Sequence, residues 1–192
     1  MMKKIILIMG DITSIAVDAM VNTAHASLQG GSGLCYSIHK KGGPLLHEEC
    51  KRLYKELGLI ADGSAEITVA GGLPAHHVIH AVSPRWLGGN KDEERLLHET
   101  YKNILAKAEQ VQAQVISIPA MATGIHGFPK QQAAEIAVEA LLSILPTCTF
   151  VDTVLLANTE TENCLIYRSI LAGLSAIDRG VQLEDLLPGK LS

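Results

Sequence analysis

Along this chain, short apolar runs alternate with longer stretches in which apolar residues return every three or four positions. Lys3–Met9 carries an unbroken apolar run from Ile5 to Met9 over a strand's length, the pattern of a strand covered on both faces. Residues 19–22 predict a second buried strand, and residues 115–119 and 153–157 two more. Residues 65–70 (AEITVA) alternate as a half-buried strand does, and residues 77–82 (HVIHAV) form the next strand after a Gly-Gly-Leu-Pro turn. Helical spacing predicts a helix over residues 34–41 that resumes past the Gly42-Gly43-Pro44 break as residues 45–57. Leu96, Leu97, Ile104, Leu105 and Ala108 share one face of a helix from Lys91 to about Gln112, with acidic residues in its first turn. Residues 130–145 form another helix, burying Ala134, Ile136, Ala137, Ala140, Leu141 and Ile144, and residues 164–174 the last. The remainder, residues 175–192, carries VQLEDLL and reads as a short docked helix or a partly disordered tail.

Strands alternating with helices imply an α/β fold with a largely parallel sheet covered on both sides. Such sheets bind ligands at the carboxyl ends of their strands. Two glycine-bearing loops come directly after strands here, so both should converge at that edge. In the first, Gly30, Gly31 and Gly33 are separated only by Ser32 and lead into a helix. Backbone free of Cβ atoms, with exposed N–H groups and the positive end of a helix dipole, is an anion cradle. The second spans residues 120–129.

Composition narrows the partners. The 192 residues predict one domain with a sizeable core, and neither repeat nor linker divides them. A net charge of −4 without any Lys/Arg block argues against a nucleic-acid surface built on counterion release. Aromatic residues make up only 4%, which argues against base-stacking platforms. Cys35, Cys50, Cys148 and Cys164 show no CxxC spacing and read as reduced, buried thiols of a cytoplasmic protein. The run after Lys3 and Lys4 is too short for a signal peptide, and no segment approaches the roughly 18 apolar residues of a membrane span.

Five stretches together resemble the macrodomain family of ADP-ribose-binding modules. They are Gly10-Asp11-Ile12-Thr13, Asp18-Ala19-Met20-Val21-Asn22, residues 28–33 with Ile38-His39, LPAHHVIH at 73–80 and IPAMATGIHGFP at 118–129. Their order and spacing match the family from about residue 3 to 172, within a domain taken as residues 1–174. The resemblance is to the bacterial and MacroD-type branch, and implies a three-layer α/β/α sandwich around a mixed, mostly parallel sheet of about six strands. It implies that Asp11 accepts from the adenine amine, with Ile12 beside it, and that Asn22 lies near the distal ribose. Gly30, Gly31, Ser32, Gly33 and Leu34 then match one diphosphate loop, and Thr123, Gly124, Ile125, His126 and Gly127 the other. Phe128 matches an aromatic that packs on the distal ribose. Each has a plainer alternative: a turn or N-cap for Asp11, a loop pin for Asn22, a core position for Phe128. His39 and His80 read as structural.

Three positions depart from the branch. His25 stands where it carries a second asparagine, Cys35 where it carries an aspartate after the glycine loop, and His126 where it carries a tyrosine. All three belong to the distal-ribose end, so His25, Cys35 and His126 are the candidate catalytic residues. Either histidine suits a general base, because imidazole titrates near neutral pH. Cys35 reads as a nucleophile or as an inert buried thiol. Cys35 and His39 have metal-ligand spacing, but two ligands do not make a site, and no metal or cofactor is expected. The resemblance thus implies an ADP-ribose-binding domain, with hydrolysis of O-acetyl-ADP-ribose or mono-ADP-ribosyl groups by an altered catalytic set. The alternatives are a non-catalytic reader of ADP-ribose or ADP-ribosylated protein, and a phosphatase of ADP-ribose-1″-phosphate.

Overall fold

The computed structural model describes residues 2–174 and 180–187. In chain order the elements are β1 (Lys3–Met9), β2 (Val17–Thr23), α1 (Gly33–Leu57), β3 (Ala65–Val69), β4 (Ala75–Ala81) and α2 (Glu93–Gln110). After these come β5 (Val115–Ile118), α3 (Lys130–Ile144), β6 (Thr153–Asn158), α4 (Thr161–Ala172) and β7 (Val181–Asp185). The strands form one sheet in the order β3-β4-β2-β5-β6-β1-β7. Every pairing is parallel except β3 with β4, so the sheet is mixed and mostly parallel.

Strand periodicity decides what each face buries. On β2, Ala19 and Val21 point into a core shared with Leu97, Tyr101, Ile104 and Leu105 of α2, Ala137 and Leu141 of α3, and Tyr167 of α4. Met20, between them, points to the opposite side, where Ile38, Leu46, Cys50 and Leu53 of α1 wait. One helix therefore covers one face and three cover the other, a three-layer α/β/α sandwich. The α1 kink falls at Gly43 (φ 71°, ψ −160°), a backbone region open essentially to glycine, and Pro44 supplies no N–H to continue the ladder.

Two expectations are corrected. The sheet has seven strands rather than about six. The extra one lies in the tail, where residues 181–185 pair parallel with β1, Lys3 opposite Val181 and Ile5 opposite Leu183. Residues 181–185 are therefore a strand, neither the short helix nor the partly disordered tail expected of them; residues 175–179 and 188–192 lie outside the described ones. The VQLED pattern is too brief and too charged to announce a strand, and its order comes from β1's free backbone groups rather than its own hydrophobicity.

Candidate functional site

Five parallel strands end at one edge, and the segments at those ends line a single cleft of about 720 Å³. Gly10, Asp11 and Ile12 lie just beyond β1; Asn158, Thr159 and Glu160 close β6; Pro119, Ala120 and residues 122–126 extend from β5; Thr23, Ala24 and His25 end β2; Ser83 lies just past β4. The first turn of α1, with Gly31, Ser32, Gly33, Leu34 and Cys35, completes the wall. Strand order fixes the layout: Asp11 lies at the β1 end and Ser83 at the β4 end, four strand steps away.

The two glycine loops present unpaired backbone amides. Among the described residues, the backbone amides of Gly31, Ser32 and Gly33 donate to no protein acceptor, and neither do those of Thr123, Gly124, Ile125 and His126. Unpaired N–H groups at a helix start favour negative charge. The second loop is held from behind. Phe128 N–H donates to Ala122 O (3.1 Å), Trp86 N–H to His126 O (2.9 Å), and the Trp86 and Phe128 rings pack at 4.6 Å.

Asp11 caps the helical turn after it. Its carboxylate accepts from Thr13 N–H (3.0 Å) and Thr13 Oγ1 (2.5 Å), and pairs with Lys41 Nζ at 2.9 Å. The Thr13 hydroxyl first, and Lys41 second, hold its pKa down to about 2, so it is a carboxylate at any physiological pH. Ile12 is buried beside it. Asp11 is thus both an N-cap and a cleft residue, and the two readings do not compete.

The three candidate catalytic residues all line the cleft but differ in their surroundings. His25 is exposed, with Nδ1 accepting from Ser27 N–H (3.2 Å) and 2.9 Å from Ser27 Oγ. Cys35 lines the cleft but is only 4% exposed, its Sγ 3.6 Å from Asn22 Nδ2. His126 lines the cleft with Nδ1 3.2 Å from Ser83 Oγ. Asn22, Gly30, Gly127 and Phe128 do not line the cleft. Asn22 is fully buried and its Nδ2 donates to His80 Nδ1 (3.1 Å), so its geometry is that of a pin beneath the loop. Phe128 is a core residue at 2% exposure.

Under the first glycine loop lies a buried polar layer that sequence spacing does not assemble. Ligating atoms of His39, Cys50 and His80 lie within 4.8 Å of one another, a different set from the Cys35–His39 pair. The Asn22 amide fixes the His80 proton on Nε2, 2.9 Å from Thr68 Oγ1. Burial, and then His39, pushes the His80 pKa down to about 3. Burial likewise pushes the Cys50 thiol up to about 12. Both are neutral in the folded protein, and among the described residues both His39 ring nitrogens lack a hydrogen-bond partner.

Several lining residues carry no signal in the motifs. Asn158 is 5% exposed, accepts from Ala120 N–H through Oδ1 (2.9 Å), and among the described residues leaves its Nδ2 unpartnered. The strand-end rule could have found it, because it terminates β6. Ser83 sits past β4 in the same way, but a serine before a proline reads as an ordinary turn.

A three-layer sandwich whose strand ends hold two unpaired amide loops defines a ligand-binding module of the α/β class. More narrowly, the chain belongs to the Macro domain family, whose model matches residues 21–137. A Macro domain-containing protein of Acinetobacter sp. is 50% identical over 182 residues, 95% of this chain and 98% of its own. The O-acetyl-ADP-ribose deacetylase of Klebsiella pneumoniae is 42% identical over 166 residues, 86% of this chain and 95% of its own. Among solved structures, a mutant Oceanobacillus iheyensis macrodomain with ADP-ribose superposes with a TM-score of 0.82 at 31% identity, covering 87% of this chain and 90% of its own.

Proposed function

We propose that this protein binds ADP-ribose in the strand-end cleft and hydrolyses O-acetyl-ADP-ribose there. The observation that carries the reading is that two loops with unpaired amides line one cleft, with the Asp11 carboxylate at its β1 end. A diphosphate suits the loops; an exocyclic amine suits a carboxylate held ionised by Thr13 and Lys41. Ribose hydroxyls then fall toward the β4 end, where Ser83, His25, Cys35 and His126 gather. The named deacetylase relatives support the reaction, and the solved macrodomain with ADP-ribose supports the ligand.

Calorimetry with ADP-ribose tests the ligand: a saturable heat is expected, and no heat at high micromolar ligand would refute it. Asp11→Ala removes a charged acceptor and should weaken binding about tenfold or more, since such hydrogen bonds contribute roughly 1.5–3 kcal/mol. Acetate release from O-acetyl-ADP-ribose tests the reaction.

A second reading is favoured by the state of two of the candidate residues. His25 is engaged by Ser27, and position 35 offers a buried thiol instead of a carboxylate. A reader of ADP-ribosylated protein would bind ADP-ribose without turning over either ester or glycosidic substrates.

A further inference from the structure

Resting on the ADP-ribose reading above, we propose that Ser83 and His126 form a nucleophile–base dyad that deacylates an ester on the distal ribose. Ser83 Oγ lies 3.2 Å from His126 Nδ1, although the two residues are 43 positions apart. Ser83 is 3% exposed and is one of the residues that line the cleft. His126 comes from the loop after β5, and the Trp86 amide bonded to its carbonyl holds that loop in place. Two strand ends therefore converge to make one contact.

Position along the sheet supplies the rest. From β1 to β4 the order runs through β6, β5 and β2. Four steps of about 4.8 Å make roughly 19 Å. A ligand with its adenine at Asp11 and its diphosphate between the loops presents its far ribose to the Ser83 side.

An unassisted serine hydroxyl is a weak nucleophile, and a base within hydrogen-bond reach activates it. With the imidazole proton on Nε2, Nδ1 accepts the Ser83 proton as Oγ attacks the acetyl carbonyl carbon. The Oγ–C bond forms, the C–O bond to the ribose breaks, and the imidazolium returns its proton to the ribose oxygen. Water then attacks the acetyl-serine, His126 takes a proton from it, and Ser83 leaves as the hydroxyl with acetate as product. Unpaired amides of the 123–126 loop are the donors available to the developing oxyanion. Among the described residues, the other serine–histidine contact, His25 with Ser27, is a local exposed turn whose serine does not line the cleft, and it lacks this setting.

The test uses the intact protein with O-acetyl-ADP-ribose. Ser83→Ala and His126→Gln should each lower kcat at saturating substrate by on the order of 10²-fold or more. Detectable ADP-ribose binding by calorimetry shows that the variants fold. Rapid acid quench of the wild type, with peptide mass analysis, should find one acetyl group on Ser83, absent from the His126→Gln sample. Wild-type kcat in Ser83→Ala, or turnover with no acetylated Ser83 peptide, overturns the dyad. Wild-type protein that binds ADP-ribose but releases no acetate also overturns it, leaving the ligand reading intact. Absence of binding refutes the ligand reading itself.

Discussion

His80 is a fully buried imidazole whose neutral form the fold requires, with Asn22 donating to one nitrogen and Thr68 beside the other. An unfolded histidine titrates near 6.5, whereas burial and His39 lower the folded value to about 3. Above pH 6.5 both states are neutral and nothing is lost. Between pH 6.5 and 3 the unfolded chain takes up a proton that the folded one refuses, so stability falls as pH falls. Each pH unit in that window removes about 1.4 kcal/mol, hence roughly 2 kcal/mol by pH 5. Urea unfolding at pH 7 and 5 should show this drop. His80→Gln should lower stability at pH 7 and flatten the dependence; an unchanged slope would mean that His80 is not its source. His39, also lowered by burial, acts in the same direction. At this scale the sequence is legible where a residue's role is local. Asp11 before a turn reads as a cap, and it is one. The Ser83–His126 contact and the His39–Cys50–His80 cluster are not legible, because each joins elements that only the sheet order brings together.

The kink in α1 and the hairpin between β3 and β4 are one joint. Gly42 O accepts from Gly72 N–H at 3.0 Å, tying the helix to the turn. Gly71 makes that approach feasible: its φ is +63°, and a Cβ there would lie 2.1 Å from the Gly42 carbonyl oxygen. Because the obstruction is backbone on both sides, no side-chain rotation relieves it. Gly71→Ala should therefore destabilise the protein by on the order of 3 kcal/mol or more, combining strain with lost packing. Gly173→Ala is the control, since its φ is −80° and the nearest atoms stand at 3.6 Å or beyond. It should stay within about 0.5 kcal/mol of wild type. Equal effects in thermal melts would refute the joint. Both glycine pairs read from sequence as breaks, correctly. That they touch is not readable, since hydrophobic periodicity reports which face is buried and not which turn meets which.

For the whole molecule, the sheet order makes the chain's first strand depend on its last. β1 lies between β6 and β7, and the Asp11 end of the cleft hangs from β1's carboxyl end. β7 closes that side with parallel pairing, a buried Val181, and a half-exposed Arg168–Asp185 ion pair from α4. Glu184 and Asp185, paired with Lys4 and Arg168, also put charge on an edge that would otherwise invite pairing with another chain. Ending the chain at Leu174 would leave β1 as an unprotected apolar edge carrying Ile6 and Ile8. Burial of a single valine contributes about 1.5–3 kcal/mol. A domain of this size shifts by roughly 2–4 °C per kcal/mol, so Tm should fall by about 5 °C or more, with concentration-dependent aggregation. Saturating ADP-ribose binds only the folded form and adds about 2.7 kcal/mol at a hundred times Kd. The truncated chain should therefore regain much of its Tm with ligand, because the cleft itself lacks no lining residue. A truncated chain that melts like the full one would show that β7 is dispensable. One that melts lower and gains nothing from ADP-ribose would show that β1 must be clamped on both sides before Asp11 can reach its ligand.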